Sequence, residues 1–338
     1  MAINPVDDSN QDRFLPKISV IVPIYNAIAD LPELINCLQA QTYPTNQVEY
    51  LVVDNGSRDA GATLLEIAVK QAASQGISFR YLQENQIQSS YAARNTGIRA
   101  AKAEILAFTD ADCRPQPDWL DNLVPPFAES RIGIVAGEIV ALPGKTLLEK
   151  HADHNNVLSQ QHTLKHSFCP YGQTANLAIR RQVLEQVGLF RPYLTSGGDA
   201  DLCWRIQQQT DWLLHFAPTA IVRHRHRSTL QDYQNQWRRY GQSNRYLHEL
   251  HGVKLMHEFT PQDYLHRIGR WLLKELPINS VKVIAHKTPA IELISTPINL
   301  FGAWARAAGQ REAQLPEKAR EIEWLQNVQG ISNHQHSE

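Results

Sequence analysis

The amino-acid sequence predicts an α/β protein: a mostly parallel sheet flanked by helices on both faces, with a helical extension at the C-terminal side. Three observations carry that expectation. Short aliphatic and β-branched runs alternate with helix-period segments through the N-terminal half. Those short runs are apolar throughout, as strands covered on both faces are. The polar clusters "PIYN", "DNGS" and "DAD" fall at the carboxyl ends of the runs, where open α/β sheets bind ligands.

The elements follow in order. "ISVIVPIYN" (Ile18–Asn26) reads as a buried strand broken by Pro23. Asp30 with Glu33 three residues on makes a capping box for the next helix, whose Leu31, Leu34, Ile35 and Leu38 share one face. "VEYLVVDNGS" and "ATLLEIAVKQAAS" repeat the strand-and-helix pair, and "ISFRYLQ" with "SSYAARNTGIRAAKA" repeats it again. "EILAFTD" is a fourth strand and "RIGIVAGEIVAL" a fifth. The order βαβαβα is that of a parallel sheet covered by its crossover helices. Beyond it, "QDYQNQWRRYGQSNRYL" has helical period with Tyr233, Trp237 and Tyr240 along one side, and "RWLLKELPINSVKVIAHKTPAIELISTPINLFGAWARAAG" is apolar but broken by Pro277, Pro289 and Pro297.

The bulk properties narrow the function. The chain has 338 residues, 43% of them hydrophobic, an ordinary soluble-enzyme composition. A formal net charge of −1 gives no basis for expecting nucleic-acid binding. The four cysteines, Cys37, Cys113, Cys169 and Cys203, show neither a disulfide framework nor zinc spacing, which suggests a reducing compartment. No apolar run approaches the roughly 20 residues that cross a bilayer. These features lead to the expectation of a cytoplasmic protein that does not span the membrane. The apolar C-terminal region leaves open peripheral contact at the inner face of the cell membrane.

The chemistry-bearing residues cluster. Asp110 and Asp112, separated by one alanine at a strand exit, point to one side in an extended chain, and two such anions call for a cation between them. The bland alternative is that they cap the helix "PDWLDNLV". No GxGxxG, Walker loop or GxSxG elbow is present, so a bound phosphate would need a metal. "GGDADLCWRI" places Asp199 at a helix start, as an N-cap or as a general base, and lets Asp201 pair with Arg205 at i+4. In "VRHRHRS" His224 and His226 lie on one side of a strand end, among Arg223, Arg225 and Arg227. From Arg223 to Arg245 there are six arginines and one acid, Asp232, a clustering that suggests an anionic partner.

Taken together, "VIVPIYN", "VVDNGSRD", "AARNTGIRAAKAEILAFTDAD", "GQTANLAIRRQVLEQVGLF" and "GGDADLCWRI" resemble the family 2 glycosyltransferases of the inverting, GT-A-fold class over roughly Ile18 to Tyr240. The resemblance implies a Rossmann-like GT-A domain and the transfer of a sugar from a nucleotide-diphosphate donor to a saccharide or lipid-linked acceptor, as in polysaccharide biosynthesis. It implies a divalent metal, Mg²⁺ or Mn²⁺, held by Asp112 of a DxD motif with His224 as the preferred histidine. It assigns donor contacts to Pro23, Tyr25, Asn26, Asp54, Asn55, Arg94, Asp110 and Ala111, and the base to Asp199, with Asp201 as its understudy. Asn55 stands where the family's second acid does, and Gly198 where a glutamate often does. Gln236, Arg239 and Tyr240 are similar to the QxxRW motif, with tyrosine for tryptophan, which places them on the acceptor side.

Two rival readings use the same residues. A metal-dependent hydrolase or nucleotidyltransferase could employ the aspartate pair with His-x-His, and an inactive sugar-nucleotide-binding protein would keep the pocket without the chemistry. The expected organisation is a polar disordered tail over 1–16, the GT-A domain over 17–228, a helical acceptor-side or membrane-facing region over 229–312 and a polar tail over 313–338.

Overall fold

The computed structural model of the chain describes residues 14–325; most of the tail expected over 1–16, and residues 326–338 of the other, lie outside the described residues. The first half alternates as its sequence does: β1 (Ile18–Ile24), α1 (Leu31–Gln39), β2 (Val48–Asp54), α2 (Gly61–Ser74), β3 (Ser78–Gln83), α3 (Ser90–Ala100) and β4 (Ile105–Phe108). Then follow β5 (Cys113–Pro115), α4 (Trp119–Leu123), β6 (Ile132–Ala141), α5 (Leu147–His154), α6 (Gln160–Leu164), β7 (Leu177–Arg180), α7 (Arg181–Val187), α8 (Gly198–Gln209) and β8 (Leu213–His224). The C-terminal region is helical: α9 (Leu230–His251), α10 (Pro261–Arg270), a π-helical stretch at Trp271–Glu275, α11 (Leu276–Ile284) and α12 (Ser295–Glu312).

One eight-stranded sheet has the order β3-β2-β1-β4-β7-β6-β8-β5. β3, β2, β1 and β4 are parallel, and β6 is parallel to β8. β7 departs from the simple alternation by inserting between β4 and β6, antiparallel to both. Every residue of β1 and β2 is buried, because helices cover both faces. Alternate residues of β1 serve opposite cores: Val20 and Val22 pack toward α1 and α2, Ile21 toward α3, α7 and α8. The chain steps outward from β1 to β2 to β3, then returns to the other side of β1 with β4. The strand order therefore reverses between β1 and β4, and a crevice opens beyond their carboxyl ends.

Two local expectations change. Asp30 is the N-cap of α1, but its side chain makes no capping bond. Arg114, 5% exposed, draws Asp30 (2.8 Å) and Glu33 (2.8 Å) instead, because a buried guanidinium needs carboxylates more than a helix end does. Residues 313–325, assigned to the polar tail, lie against the domain: Ala313 and Ala319 are buried, and the Leu189 amide donates to the Glu323 carbonyl at 2.7 Å.

α9 and α12 approach closely, with a glycine from each helix at the crossing. A Cβ on Gly241 would fall 2.0 Å from the Arg306 carbonyl oxygen, and one on Gly309 would fall 2.1 Å from that of Arg238, so only glycine permits this spacing. This contact fixes α9 as a wall beside the sheet.

Candidate active site

Two adjoining cavities of about 600 and 220 Å³ occupy the crevice and share Arg94, Asp110, Asp112, Arg227 and Arg239. Pro23, Tyr25 and Asn26 from the exit of β1 line the larger one. Asn26 adopts a left-handed φ of 49°, which lets its side-chain oxygen accept from the Arg58 amide at 2.8 Å and joins the two loops. Asn55 lines the same cavity, held by bonds from its Nδ2 to the carbonyls of Glu84 and Ile87. Asp54 is not brought to the wall. It is 5% exposed, and its oxygens accept from the Ser57 amide (2.9 Å) and the Tyr81 hydroxyl (3.0 Å), which orders the turn behind Asn55.

Asp110, Ala111 and Asp112 follow β4 in a turn rather than in extended chain, and both carboxylates still reach the crevice. They do not cap the next helix, whose N-cap is Asp118. Each acid has its own cation. Arg94, 3% exposed, bonds Asp110, while Asp112 faces His224 Nε2 at 3.3 Å and Arg227 Nη2 at 3.3 Å. Burial opposes ionisation of Asp112, but His224 and Arg227 outweigh it and hold the carboxyl well below the usual range.

The helix α8 carries the second acid. Gly197, at φ 82°, is its N-cap, and the Asp199 side chain does not cap it. Asp199 lines the smaller cavity and accepts from the hydroxyl (3.0 Å) and amide of Thr174. Burial, reinforced by Asp110 and opposed by Arg94, raises its pKa. Gly198 fits its position because a Cβ there would stand 2.7 Å from the Tyr91 ring, and its amide donates to the Tyr91 hydroxyl at 2.9 Å. Tyrosine therefore occupies the space a longer side chain at 198 would need. Asp201 is not brought to the crevice. It is fully buried between Arg191 (3.0 Å), Arg205 (3.1 Å) and His251 (2.9 Å), and its pairing with Arg205 is the expected i+4 contact.

Gln236, Arg239 and Tyr240 on α9 line the smaller cavity opposite Asp199, and Gln236 Nε2 donates to the Tyr240 hydroxyl at 3.0 Å. The aromatic stripe divides. Tyr233 stacks on Phe301 of α12, and Trp237 lies between it and Tyr240. The arginine cluster also resolves differently from expectation. Arg225, Arg227, Arg238 and Arg245 pair with Asp30, Asp112, Glu312 and Glu249 respectively, acids distant in sequence or one turn away. Among the described residues only Arg223 and Arg239 of the six lack such a partner, and Arg239 is the one at the crevice.

Gln88, Ser89, Ser90, Thr195 and Gln173 also line the crevice and were not anticipated. Ser89 caps α3 by accepting from the amides of Tyr91 and Ala92, a signal present in the serine before an apolar-periodic segment.

Among the described residues Asp112, Cys113 and His224 offer ligand atoms within 4.8 Å of one another. Burial and the neighbouring acids raise the Cys113 thiol well above its ordinary value, so it offers no thiolate. The carboxylate and the imidazole remain, a hard set suited to Mn²⁺. His224 Nδ1 is buried with no partner. His226 lines a different cavity beside Glu138 and does not join the cluster.

Comparison with known proteins agrees with this geometry. The sequence profile of Glycosyl transferase family 2 matches residues 19–188, and that of Glycosyl transferase family group 2 matches 105–280. The chain is 38% identical over 187 residues to glycosyltransferase AglE of Haloferax volcanii, covering 55% of this chain and 59% of that one. It is 29% identical over 221 residues to the pre-mycofactocin glycosyltransferase of Mycobacterium tuberculosis, covering 64% and 44%. The chain thus spans about half the length of the curated relatives it matches. Among solved structures, the mannosyltransferase PcManGT of Pyrobaculum calidifontis, in complex with GDP-Man and Mn²⁺, aligns with a TM-score of 0.59 at 21% identity, covering 88% of each chain. S. aureus TarS in complex with UDP-GlcNAc aligns at 0.50 and 16%, covering 87% and 90%. The fold is that of the GT-A glycosyltransferases, and with a profile match over half its length the chain belongs to glycosyl transferase family 2.

Proposed function

We propose that this chain transfers a sugar from a nucleotide-diphosphate donor to a saccharide or lipid-linked acceptor with inversion at the anomeric carbon. The observation that carries the reading is the placement of Asp112 and Asp199 on one 220 Å³ cavity, the first facing Arg227 and His224 and the second bonded to Thr174. The donor's base and ribose rest against Tyr25, Asn26, Asn55 and Asp110. Asp112 and His224 would hold a divalent cation beside its diphosphate, with Arg227 alongside. When bound, that cation neutralises the charge developing on the leaving diphosphate. Asp199 takes the proton of the acceptor hydroxyl as its oxygen bonds to the anomeric carbon. The bond to the diphosphate breaks on the opposite face, and the nucleoside diphosphate leaves with the electron pair. A raised pKa suits a carboxylate for that task.

Residues 17–228 are read as the donor-binding and catalytic unit, and 229–312 as the acceptor side. No described helix is long and apolar enough to cross a membrane. Leu265, Leu273, Val281 and Ile284 of α10 through α11 are 66–85% exposed, which supports peripheral membrane contact there. The hydrolase, nucleotidyltransferase and inactive-protein readings are not favoured, since the chain belongs to a transferase family and keeps both the metal acid and a candidate base.

The test is calorimetric titration of UDP-, GDP- and dTDP-sugars with Mn²⁺ or a chelator. One donor should bind with Mn²⁺ alone, and Asp112→Asn should abolish that dependence. Equal binding by wild type and variant would overturn the assignment.

A further inference from the structure

Outside the crevice, a second cavity of about 430 Å³ lies between α9, α10 and α12, within the size range that holds a small organic ligand. Trp237, Leu300, Ala303, Ala307 and Phe259 give it apolar walls. Two arginines face it. Arg267 lies over the Phe259 ring at 4.2 Å. Arg306 is half-buried, and its Nη2 donates to Asn244 Oδ1 at 2.9 Å, while its Nε and the Asn244 Nδ2 are buried without partners. Neither arginine has a carboxylate within ion-pair distance among the described residues, and the one acid on the wall, Glu258, is taken by Arg311 at 2.6 Å.

A guanidinium withdrawn from water without a counter-ion is costly, and Arg114, Arg191 and Arg205 of this chain are all supplied with carboxylates. Arg306 is also placed between two spaces. It lines the apolar cavity, and its bond to Asn244 ties it to α9, whose Tyr240 lines the crevice.

We propose that this cavity binds a single-chain amphiphile bearing a phosphate head, its hydrocarbon in the apolar walls and its phosphate on Arg306. A bare hydrocarbon would leave Arg306 with the Trp237 ring, 6.0 Å away, and no counter-ion, and a free anion would leave the apolar walls wet. α10, which supplies Arg267 to the cavity wall, also carries the exposed Leu265 and leads on to the exposed Leu273, Val281 and Ile284, which gives such a ligand a route from a lipid surface. That this ligand anchors an acceptor whose sugar hydroxyl reaches Asp199 rests on the transferase reading; that the cavity binds it does not.

Calorimetry on the full chain, below the micellar concentration, with decyl phosphate, 1-decanol and inorganic phosphate as probes tests the assignment. Decyl phosphate should bind roughly tenfold or more tightly than either fragment, as loss of a charge-assisted bond or of chain burial requires. Ala303→Trp, which fills the cavity, should abolish decyl phosphate binding. Arg306→Gln should bring decyl phosphate down to the affinity of decanol. Absent binding of decyl phosphate by wild type, equal binding of phosphate and alcohol, or unchanged binding by a folded Ala303→Trp would each overturn it. If Ala303→Trp does not fold, Arg306→Gln decides alone: loss of the preference for phosphate supports the site and its retention refutes it. Nucleoside-diphosphate binding is scored in the same samples. Its absence from wild type, with decyl phosphate still bound, would overturn the transferase reading and support the cavity.

Discussion

Asp199 and Asp201 stand two residues apart in the first turn of α8 and live in opposite environments. A helix turns about 100° per residue, so one carboxylate faces the crevice and the other the packed interior. Asp199 has the hydroxyl and amide of one threonine and, among the described residues, no ion pair. Asp201 has two guanidiniums and an imidazole. Burial raises the first pKa; for the second, burial acts the same way, but His251, Arg205 and Arg191 outweigh it and hold the value at about 2. The difference teaches that the acid proposed here as proton acceptor is left short of partners, whereas the acid that binds elements together is given an excess.

The contrast can be broken in several ways. The largest effect is expected at Asp201→Asn, which strands buried cations and should cost about 3–5 kcal/mol in chemical denaturation. Activity per folded molecule should hold; selective loss of transfer with wild-type stability would make Asp201 the base instead. Asp199→Asn should lower kcat by ~10²-fold or more, with donor affinity kept. Its denaturation midpoint should stay or rise, because the fold disfavours its charge. An active Asp199→Asn would remove it from the chemistry.

The two acids also give opposite pH slopes. The folded pKa of Asp201 lies below the unfolded value of about 3.9, so its stabilisation is complete above that value and is lost as pH falls toward about 2. Asp199 has a raised folded pKa, so its contribution is complete below the unfolded value and is lost as pH rises through the folded one. Stability measured from pH 2 to 6 for the two Asn variants against wild type should show these slopes removed one at a time. The smallest effect is expected at Arg239→Ala, a several-fold rise in acceptor KM or fall in kcat, with donor affinity and Tm unchanged. An earlier melt with normal kinetics would make that arginine a packing residue.

Much of this was legible in the sequence, and the failures share a cause. The continuous apolar runs revealed β1, β2 and β4, and "DAD" marked the crevice, because both features are local. The insertion of β7 between β4 and β6 was not legible, since four residues, "LAIR", carry no signal of their partners. The Asp30–Glu33 capping box failed because Arg114, 81 residues on from Glu33, takes the carboxylate. A true box forms instead at Thr146 and Glu149, where, among the described residues, no guanidinium pairs with the glutamate. Asp54 was assigned to the site by resemblance, and Asp201 by its spacing from Asp199. Which way each side chain turns depends on Tyr81 and Arg191, which no motif spacing encodes.

The return of residues 313–325 to the domain has a consequence in time. Glu323 accepts from Asn95 Nδ2 at 2.8 Å across 228 residues, and its backbone oxygen holds the loop leading to α8. At a synthesis rate of about 5–20 residues per second, Asn95 leaves the ribosome roughly 10–45 s before its partner. For that interval the parallel strands can form from neighbouring segments, whereas α3 and the approach to α8 lack their final clamp. Loop closure over such a span is entropically late. The nascent chain therefore sets its parallel strands early and the clamp on α3 and the α8 approach last, which makes the Gly188–Phe190 surface the place where a chaperone would find this protein unfinished.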